Sequence, residues 1–278
     1  MKSSECRTAL ITGATSGIGE AYAKRLARDG FSLILHGRRQ EKLNTLAQEL
    51  EKAHNISTEV IIAELSQKKG LKKVESRIQE LDRLDVLINN AGYWLPGNFW
   101  ERDPDSIEAM IQVHVTAPAR FTRAALPRMI QQNKGDIINV SSMGVYVGIP
   151  TVENYNATKA YLLNFTETLH AALLGTGVRV QVLVPGMTMT EFHSRLGADP
   201  QQFGSISMLP EEVVEISLRC LDKGKVLCIP GLKNKLTVKL VNSLPRRMYY
   251  KVMHSWGERS RKSWEEIEKK LEGQEGHA

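Results

Sequence analysis

The chain has 278 residues, 42% hydrophobic and 24% charged, proportions ordinary for a soluble globular protein and unlike a disordered or fibrous one. Its net charge is +6 and the excess is local: between Lys233 and Lys262 nine basic residues face a single acid, Glu258. No apolar run approaches the roughly 18–20 residues that cross a bilayer. The start lacks the apolar stretch of a secretory signal, and Cys6, Cys220 and Cys228 suit neither a disulfide framework nor a metal site. The expected address is cytoplasmic, with no metal.

In chain order, short apolar runs alternate with helical periodicity. Thr8–Ile11 predicts a strand, followed by Gly13 and a helix ending near Asp29, with Gly30 as its stop. Phe31–His36 predicts the second strand. Residues 40–54 read as a helix, with Leu43, Leu46, Ala47 and Leu50 recurring every three or four positions. Glu59–Ala63, a helix over 68–81 and Leu84–Ile88 follow. Two long helices are expected over 104–132 and 153–174, with the strand Asp136–Val140 between them. Val178–Val184 and the short Val226–Ile229 complete the set. Residues 187–210, rich in Met, Gly, Pro and polar side chains, break the rhythm and read as a mobile substrate loop over the sheet edge. Continuous apolar strands alternating with helices predict an α/β fold: a doubly wound parallel sheet covered on both faces. Ligands bind such sheets at the carboxyl ends of the strands. The expected organisation is one catalytic domain over 1–230 and a basic helical extension over 231–278.

The first strand-to-helix turn reads Thr12-Gly13-Ala14-Thr15-Ser16-Gly17-Ile18-Gly19. Glycines let backbone approach a pyrophosphate, and a helix N-terminus stabilises the anion; a plain glycine turn is the bland alternative. Asn89-Asn90-Ala91-Gly92 follows the fourth strand. Ser142 lies thirteen residues before Tyr155, and Lys159 follows Tyr155 by four. A Tyr-x-x-x-Lys pair alone is weak, but this ordered set at the ends of successive strands is specific.

With these motifs and the Pro185-Gly186 turn in order, the sequence resembles the short-chain dehydrogenase/reductase family over residues 6–230. The tail around Ile229-Pro230-Gly231, Asn234-Lys235-Leu236 and Leu244-Pro245-Arg246-Arg247 is similar to a bacterial subgroup related to long-chain 3-ketoacyl reductases and hydroxysteroid dehydrogenases. The resemblance implies a Rossmann-type sheet and hydride transfer between a nicotinamide cofactor and a carbonyl or alcohol. It also implies cofactor contacts from Gly13, Thr15, Ser16, Gly17, Ile18, Gly19, Glu64, Leu65, Asn90, Ala91, Gly92, Tyr155, Lys159, Pro185, Gly186 and Thr188. Homodimers or homotetramers through the two long helices are implied as well.

The residue types fit that chemistry. A free phenol titrates at about 10, so Tyr155 alone is a poor base; a neighbouring Lys159 ammonium one helical turn away is expected to lower its pKa. Tyr155 then exchanges a proton with the substrate oxygen, and Ser142 donates to that oxygen as charge develops. By resemblance, Lys159 also holds the nicotinamide ribose. The second strand ends in His36-Gly37-Arg38-Arg39 with no acid between Phe31 and Gln40. An acid there would take the ribose 2′-hydroxyl of NAD, whereas an arginine accommodates a 2′-phosphate. NADP(H) is therefore expected over NAD(H), with Arg38 as the phosphate partner.

Two positions depart from the family pattern. Glu64 stands where an adenine-contacting Asp is usual. His114 stands where the pattern has an asparagine that links the active-site lysine to solvent through its main-chain carbonyl and a water. His114 could keep that water site, shuttle protons itself at a pKa of about 6.5, or impair turnover.

Trp94, in an aromatic run after Gly92, and Met143, Tyr146, Met187 and Phe192 are expected to form an apolar substrate surface. They suit a bulky carbonyl such as an acyl chain, ring ketone or steroid-like skeleton. No arginine occurs in 93–100, which disfavours a small anionic substrate, although Arg195 could supply a charge. The basic tail, with interleaved apolar residues, fits peripheral membrane contact or packing and oligomerisation. No motif supports nucleic-acid binding. The leading function is an NADP(H)-dependent oxidoreductase; its rivals are a non-catalytic NADP(H)-binding redox sensor and a membrane-peripheral lipid or 3-ketoacyl reductase.

Overall fold

The computed structural model describes residues 7–95, 97–148, 150–190, 207–258 and 261. β1 (Thr8–Thr12), α1 (Gly17–Arg28), β2 (Ser32–Gly37), α2 (Gln40–His54), β3 (Thr58–Ile62), α3 (Lys68–Glu80) and β4 (Val86–Asn89) form the first half. α4 (Pro104–Ile111) and α5 (Ala117–Gln131) precede β5 (Gly135–Val140), followed by α6 (Glu153–Ala172) and β6 (Val178–Leu183). α7 (Pro210–Asp222), β7 (Leu227–Cys228), α8 (Leu232–Asn242) and α9 (residues 246–258) close the described chain. The strand order is β3-β2-β1-β4-β5-β6-β7 and every pairing is parallel. This is the doubly wound Rossmann-type arrangement, with its switch point between β1 and β4.

The strands are apolar on both sides because both sides are covered. Ala9, Ile11, Leu33 and Leu35 join Tyr22, Leu26, Leu43 and Val213 in a core beneath α1, α2 and α7. The alternate residues Leu10, Ile34, Leu87 and Ile137 face Leu71, Ile78, Phe121 and Met129 of α3 and α5. A third, smaller cluster joins Val147, Val241 and Met253 with Met143, Tyr146, Tyr249 and Val252, tying the C-terminal helices to the segment after β5.

Two elements differ from the sequence-based expectation. β4 starts at Val86 rather than Leu84; just before it the Asp85 carboxylate takes the Thr8 N–H (2.9 Å), while the Asp85 N–H donates to Thr8 O (2.9 Å). The helix expected over 104–132 is interrupted by a π-helical turn, Gln112–Thr116, between α4 and α5. Of the excursion expected over 187–210, its two ends pair: Met189 N donates to Met208 O (2.9 Å) and Met208 N to Met187 O (3.0 Å). Residues 191–206, with Phe192 and Arg195, lie outside the described residues.

Candidate active site

The glycine turn and the Asn90 segment meet at the switch point. Thr12 Oγ1 accepts from Asn90 N (2.9 Å) and Ala91 N (3.0 Å) and donates to Ile88 O (3.2 Å). The Asn90 side chain donates back to Thr12 O (3.0 Å) and Gly13 O (3.1 Å). Five hydrogen bonds thus lock the ends of β1 and β4 together. Gly19 is required here by contact: a Cβ would stand 2.3 Å from Gly13 O. Ser16, the N-cap of α1, makes no side-chain capping bond, so the first-turn N–H groups that follow Thr15 and Ser16 remain available to an anion. That donor set fits a pyrophosphate held along Gly13, Gly17, Ile18 and Gly19.

Arg38 and Glu64 form an ion pair (2.9 Å) beyond β2. Partial burial pushes the Glu64 carboxyl up, yet Arg38 and the Ser66 N–H outweigh it and hold the group below its usual range. Leu65 beside it is buried. Arg39, which the motif reading did not single out, donates to Thr15 O (2.9 Å) and braces the glycine turn from the β2 side.

Ser142 follows β5 and Tyr155 opens α6, and their side chains share a hydrogen bond. Gly144 N donates into Ser142 Oγ (3.1 Å), leaving the hydroxyl proton of Ser142 to point elsewhere. Lys159, 4% exposed, donates from Nζ to Val140 O (2.9 Å) and stands 5.7 Å from the centre of the Tyr155 ring. Burial pushes the Tyr155 phenol up to about 12, with the Ser142 bond pulling the other way, and pushes Lys159 down to about 8. The lowering expected from Lys159 is not found: burial raises the phenol, and the Ser142 bond is what opposes it.

His114 lies in the π-turn, fully buried, against both members of this pair. A Cβ on Gly92 would stand 3.1 Å from His114 Nε2 and 3.3 Å from Lys159 Nζ. Tyr93 N donates to His114 Nε2 (3.0 Å), and His114 Nδ1 meets Thr158 Oγ1 (2.9 Å), whose proton goes to Tyr155 O (2.8 Å). These partners assign the imidazole proton to Nδ1. Burial, and then the Lys159 charge, hold the His114 pKa well below the usual imidazole range. The rings of Tyr93 and Tyr155 both meet His114 edge to face, at 5.5 and 5.7 Å between centres. Thr158 was missed from sequence because a threonine inside Tyr-x-x-x-Lys carries no signal of its own.

Of the residues expected to face a substrate, Trp94 stands edge to face on Tyr155 at 6.4 Å. Met143 and Tyr146 join the third apolar cluster rather than standing alone. Pro185 is buried, Gly186 and Met187 are half-buried, and Thr188 turns its hydroxyl to Gly186 O (3.0 Å). A shallow, open cleft lies beside Tyr155, lined by Leu95, Phe99, Ile107, Met110 and Val152, with Arg102 among its polar residues. Among the described residues, no three His, Cys, Asp or Glu side chains converge on a metal position.

The sequence pattern of the family described as short chain dehydrogenase matches residues 7–201. Sulfoacetaldehyde reductase 2 of Chromohalobacter salexigens is 40% identical over 189 residues, covering 66% of this chain and 73% of that protein. Very-long-chain 3-oxoacyl-CoA reductase of Mus musculus is 29% identical over 250 residues, covering 88% and 78% respectively. A solved short-chain dehydrogenase from Sphingobium yanoikuyae in complex with NADPH gives a TM-score of 0.77 at 33% identity, over 86% of this chain and 96% of that one. This chain therefore belongs to the short-chain dehydrogenase family, whose members here are oxidoreductases acting on CH–OH and C=O groups.

Proposed function

We propose that this protein is an NADP(H)-dependent oxidoreductase acting on the carbonyl or secondary alcohol of a bulky apolar substrate. The observation that carries the reading is the Ser142–Tyr155 hydrogen bond, set beside buried Lys159 and the β1–β4 switch point. The bound nicotinamide supplies the hydride. Tyr155, whose phenol keeps its proton at neutral pH, delivers that proton to the substrate oxygen, and Ser142 donates a hydrogen bond to the same oxygen. Lys159 orients the nicotinamide ribose with the ammonium protons that Val140 O leaves free. Arg38 turns from Glu64 to a 2′-phosphate, which offers it more charge than a carboxylate. The NADPH-bound relative supports this cofactor choice.

His114 acts in this reading as a neutral brace. A proton relay through the ring would need a partner on each nitrogen able to give or take a proton, and the Tyr93 peptide N–H is not one. His114 instead ties the Asn90 segment to the first turn of α6, and so holds Tyr155 in place through Thr158.

The aliphatic and aromatic lining beside Tyr155 and the likeness to a very-long-chain 3-oxoacyl-CoA reductase support an apolar substrate. A second reading, a small carbonyl bearing an anion, is favoured by Arg102 in the same cleft and by the sulfoacetaldehyde reductase likeness. Assembly through α5 and α6 fits exposed Ile130 on α5 and exposed Tyr161 on α6. Cytoplasmic residence goes with this reading.

The test follows NADPH oxidation against bulky ketones, long-chain 3-ketoacyl thioesters and small anionic aldehydes. Bulky carbonyls should turn over, Tyr155→Phe should lower kcat by about 10²–10⁴-fold, and Arg38→Ala should weaken NADPH binding while sparing NADH. Turnover unchanged in Tyr155→Phe would sink the mechanism, and turnover confined to anionic aldehydes would replace the first substrate reading with the second.

A further inference from the structure

We infer that a leucine ridge on α8 seats this protein on an anionic lipid surface. Successive residues of an α-helix turn by about 100°. Leu232, Leu236 and Leu240 therefore share an arc of about 80°, while Asn234, Val238 and Val241 occupy the opposite side. The fold buries that opposite side, each of the three being 8% exposed, and leaves the leucines 82%, 58% and 60% exposed. A ridge of three large aliphatic side chains turned directly away from the core is not explained by folding.

Charge identifies the occupant. Lys233 flanks the ridge on one side and Lys235 and Lys239 on the other, all exposed. From residue 223 to residue 257 the sequence has eight Lys or Arg and no Asp or Glu. Met248 and Tyr250 on α9 add further exposed apolar surface beside Arg246, Arg247 and Lys251. Leucines pointing outward between lysines are the pattern of a helix lying in a membrane interface, with the aliphatic groups at the acyl boundary and the ammonium groups among anionic headgroups. A second copy of this chain fits poorly. A two-fold contact would set each lysine-flanked ridge against its own image and oppose like charges. Among the described residues, no helix is long and apolar enough to cross a membrane, so the contact is peripheral.

The ridge also has a place in the fold that gives docking a use. The inner face of α8 rests on the turn after β6: a Cβ on Gly186 would stand 2.6 Å from Asn234 Nδ2, which donates to Pro230 O (2.7 Å). α9 rests on the segment after Ser142, where Tyr249 Oη accepts from Gly148 N (3.1 Å) and meets Tyr146 O (3.4 Å). Docking thus holds the bilayer against the substrate side of the molecule, where an apolar carbonyl dissolved in the membrane can enter. That last consequence rests on the apolar-substrate reading above; the docking itself does not.

The test is co-flotation of the full chain with phosphatidylcholine vesicles and with vesicles containing about one third phosphatidylglycerol, at low and high salt. Binding is expected to the anionic vesicles at low salt and to weaken as salt rises. The triple variant Leu232→Ser, Leu236→Ser, Leu240→Ser should lose about 100-fold in partitioning. Its Tm and its NADPH turnover of a water-soluble ketone should be unchanged. Lys233→Gln with Lys235→Gln and Lys239→Gln should lose about 10–100-fold and most of the salt dependence. Three results would overturn the inference: no binding to anionic vesicles at low salt, equal binding by the leucine variant, or a leucine variant that loses a dimer in light scattering while vesicle binding persists. Because vesicle binding and ketone turnover are read separately, wild-type protein that floats but turns nothing over counts against the proposed function and in favour of docking.

Discussion

The two halves of the working face are held by different kinds of force. At the β1–β4 switch point, Thr12 and Asn90 join two strand ends through hydrogen bonds among residues of two short motifs. On the substrate side, the segment after Ser142 is held from outside its own motif: Tyr249, a hundred positions on, meets Gly148 and Tyr146, and Val147 joins Val241 and Met253 in an apolar cluster. The cofactor end is thus built from local polar geometry, the substrate end from remote apolar packing. Damage to the first should travel into folding and cofactor binding together, and damage to the second into turnover without weakening cofactor binding.

The largest test of that contrast is Lys159→Met, which removes the charge common to both ends. Its expected effect is a loss of about 10²-fold or more in kcat/KM. In the parent protein, kcat/KM for ketone reduction should fall as pH rises through about 8, where Lys159 gives up its proton. The stability side runs the other way. The folded-state pKa is depressed, so between pH 8 and the ordinary lysine value the unfolded chain binds more protons and stability rises with pH. Denaturant unfolding of parent and Lys159→Met across that range should show the rise in the parent alone.

Asn90→Ala should lower unfolding free energy by about 1–3 kcal/mol, since it removes two donors at a partly buried junction, and should weaken NADPH binding in titration. A loss of kcat with both left intact would contradict the polar-lock description. His114→Asn should destabilise by about the same 1–3 kcal/mol, because a fully buried ring loses both partners or leaves a void, without accelerating turnover. A large rise in rate would show that the histidine impairs a relay and would end the brace reading. The smallest effect belongs to Tyr249→Phe, which keeps the ring and deletes the hydroxyl. It should cost about 1 kcal/mol in stability and lower kcat several-fold, with the dissociation constant for NADPH unchanged. A cofactor effect as large as the kcat effect would erase the distinction between the two ends.

The same contrast explains what could be read from the chain before its structure. The alternation that makes a doubly wound parallel sheet, and the glycine turn, the Asn90 segment and the Ser142, Tyr155 and Lys159 set as motifs of the family, rest on short spacings with local causes, and these were legible. The Tyr249 contact was not, because nothing in residues 246–258 announces which loop their aromatic side will meet. The upward push of burial on Tyr155 was not legible for a similar reason. Adjacency on a helix is visible in sequence, but the depth at which the pair is buried is set by Trp94, His114 and Val140, which come from three other elements. Arg102 lay just past the window in which a cationic residue was sought.

The π-turn at Gln112–Thr116 has a meaning for phase. Its wider turn takes up one residue more than an α-helix would. Removing one residue from 112–116 would let α4 and α5 run on as one regular helix with their inward faces nearly in register, and would erase the bulge that carries His114. A one-residue deletion here should therefore keep the fold and lose the ring that braces Tyr93 and Thr158, whereas an insertion would find the slack in the helix already used.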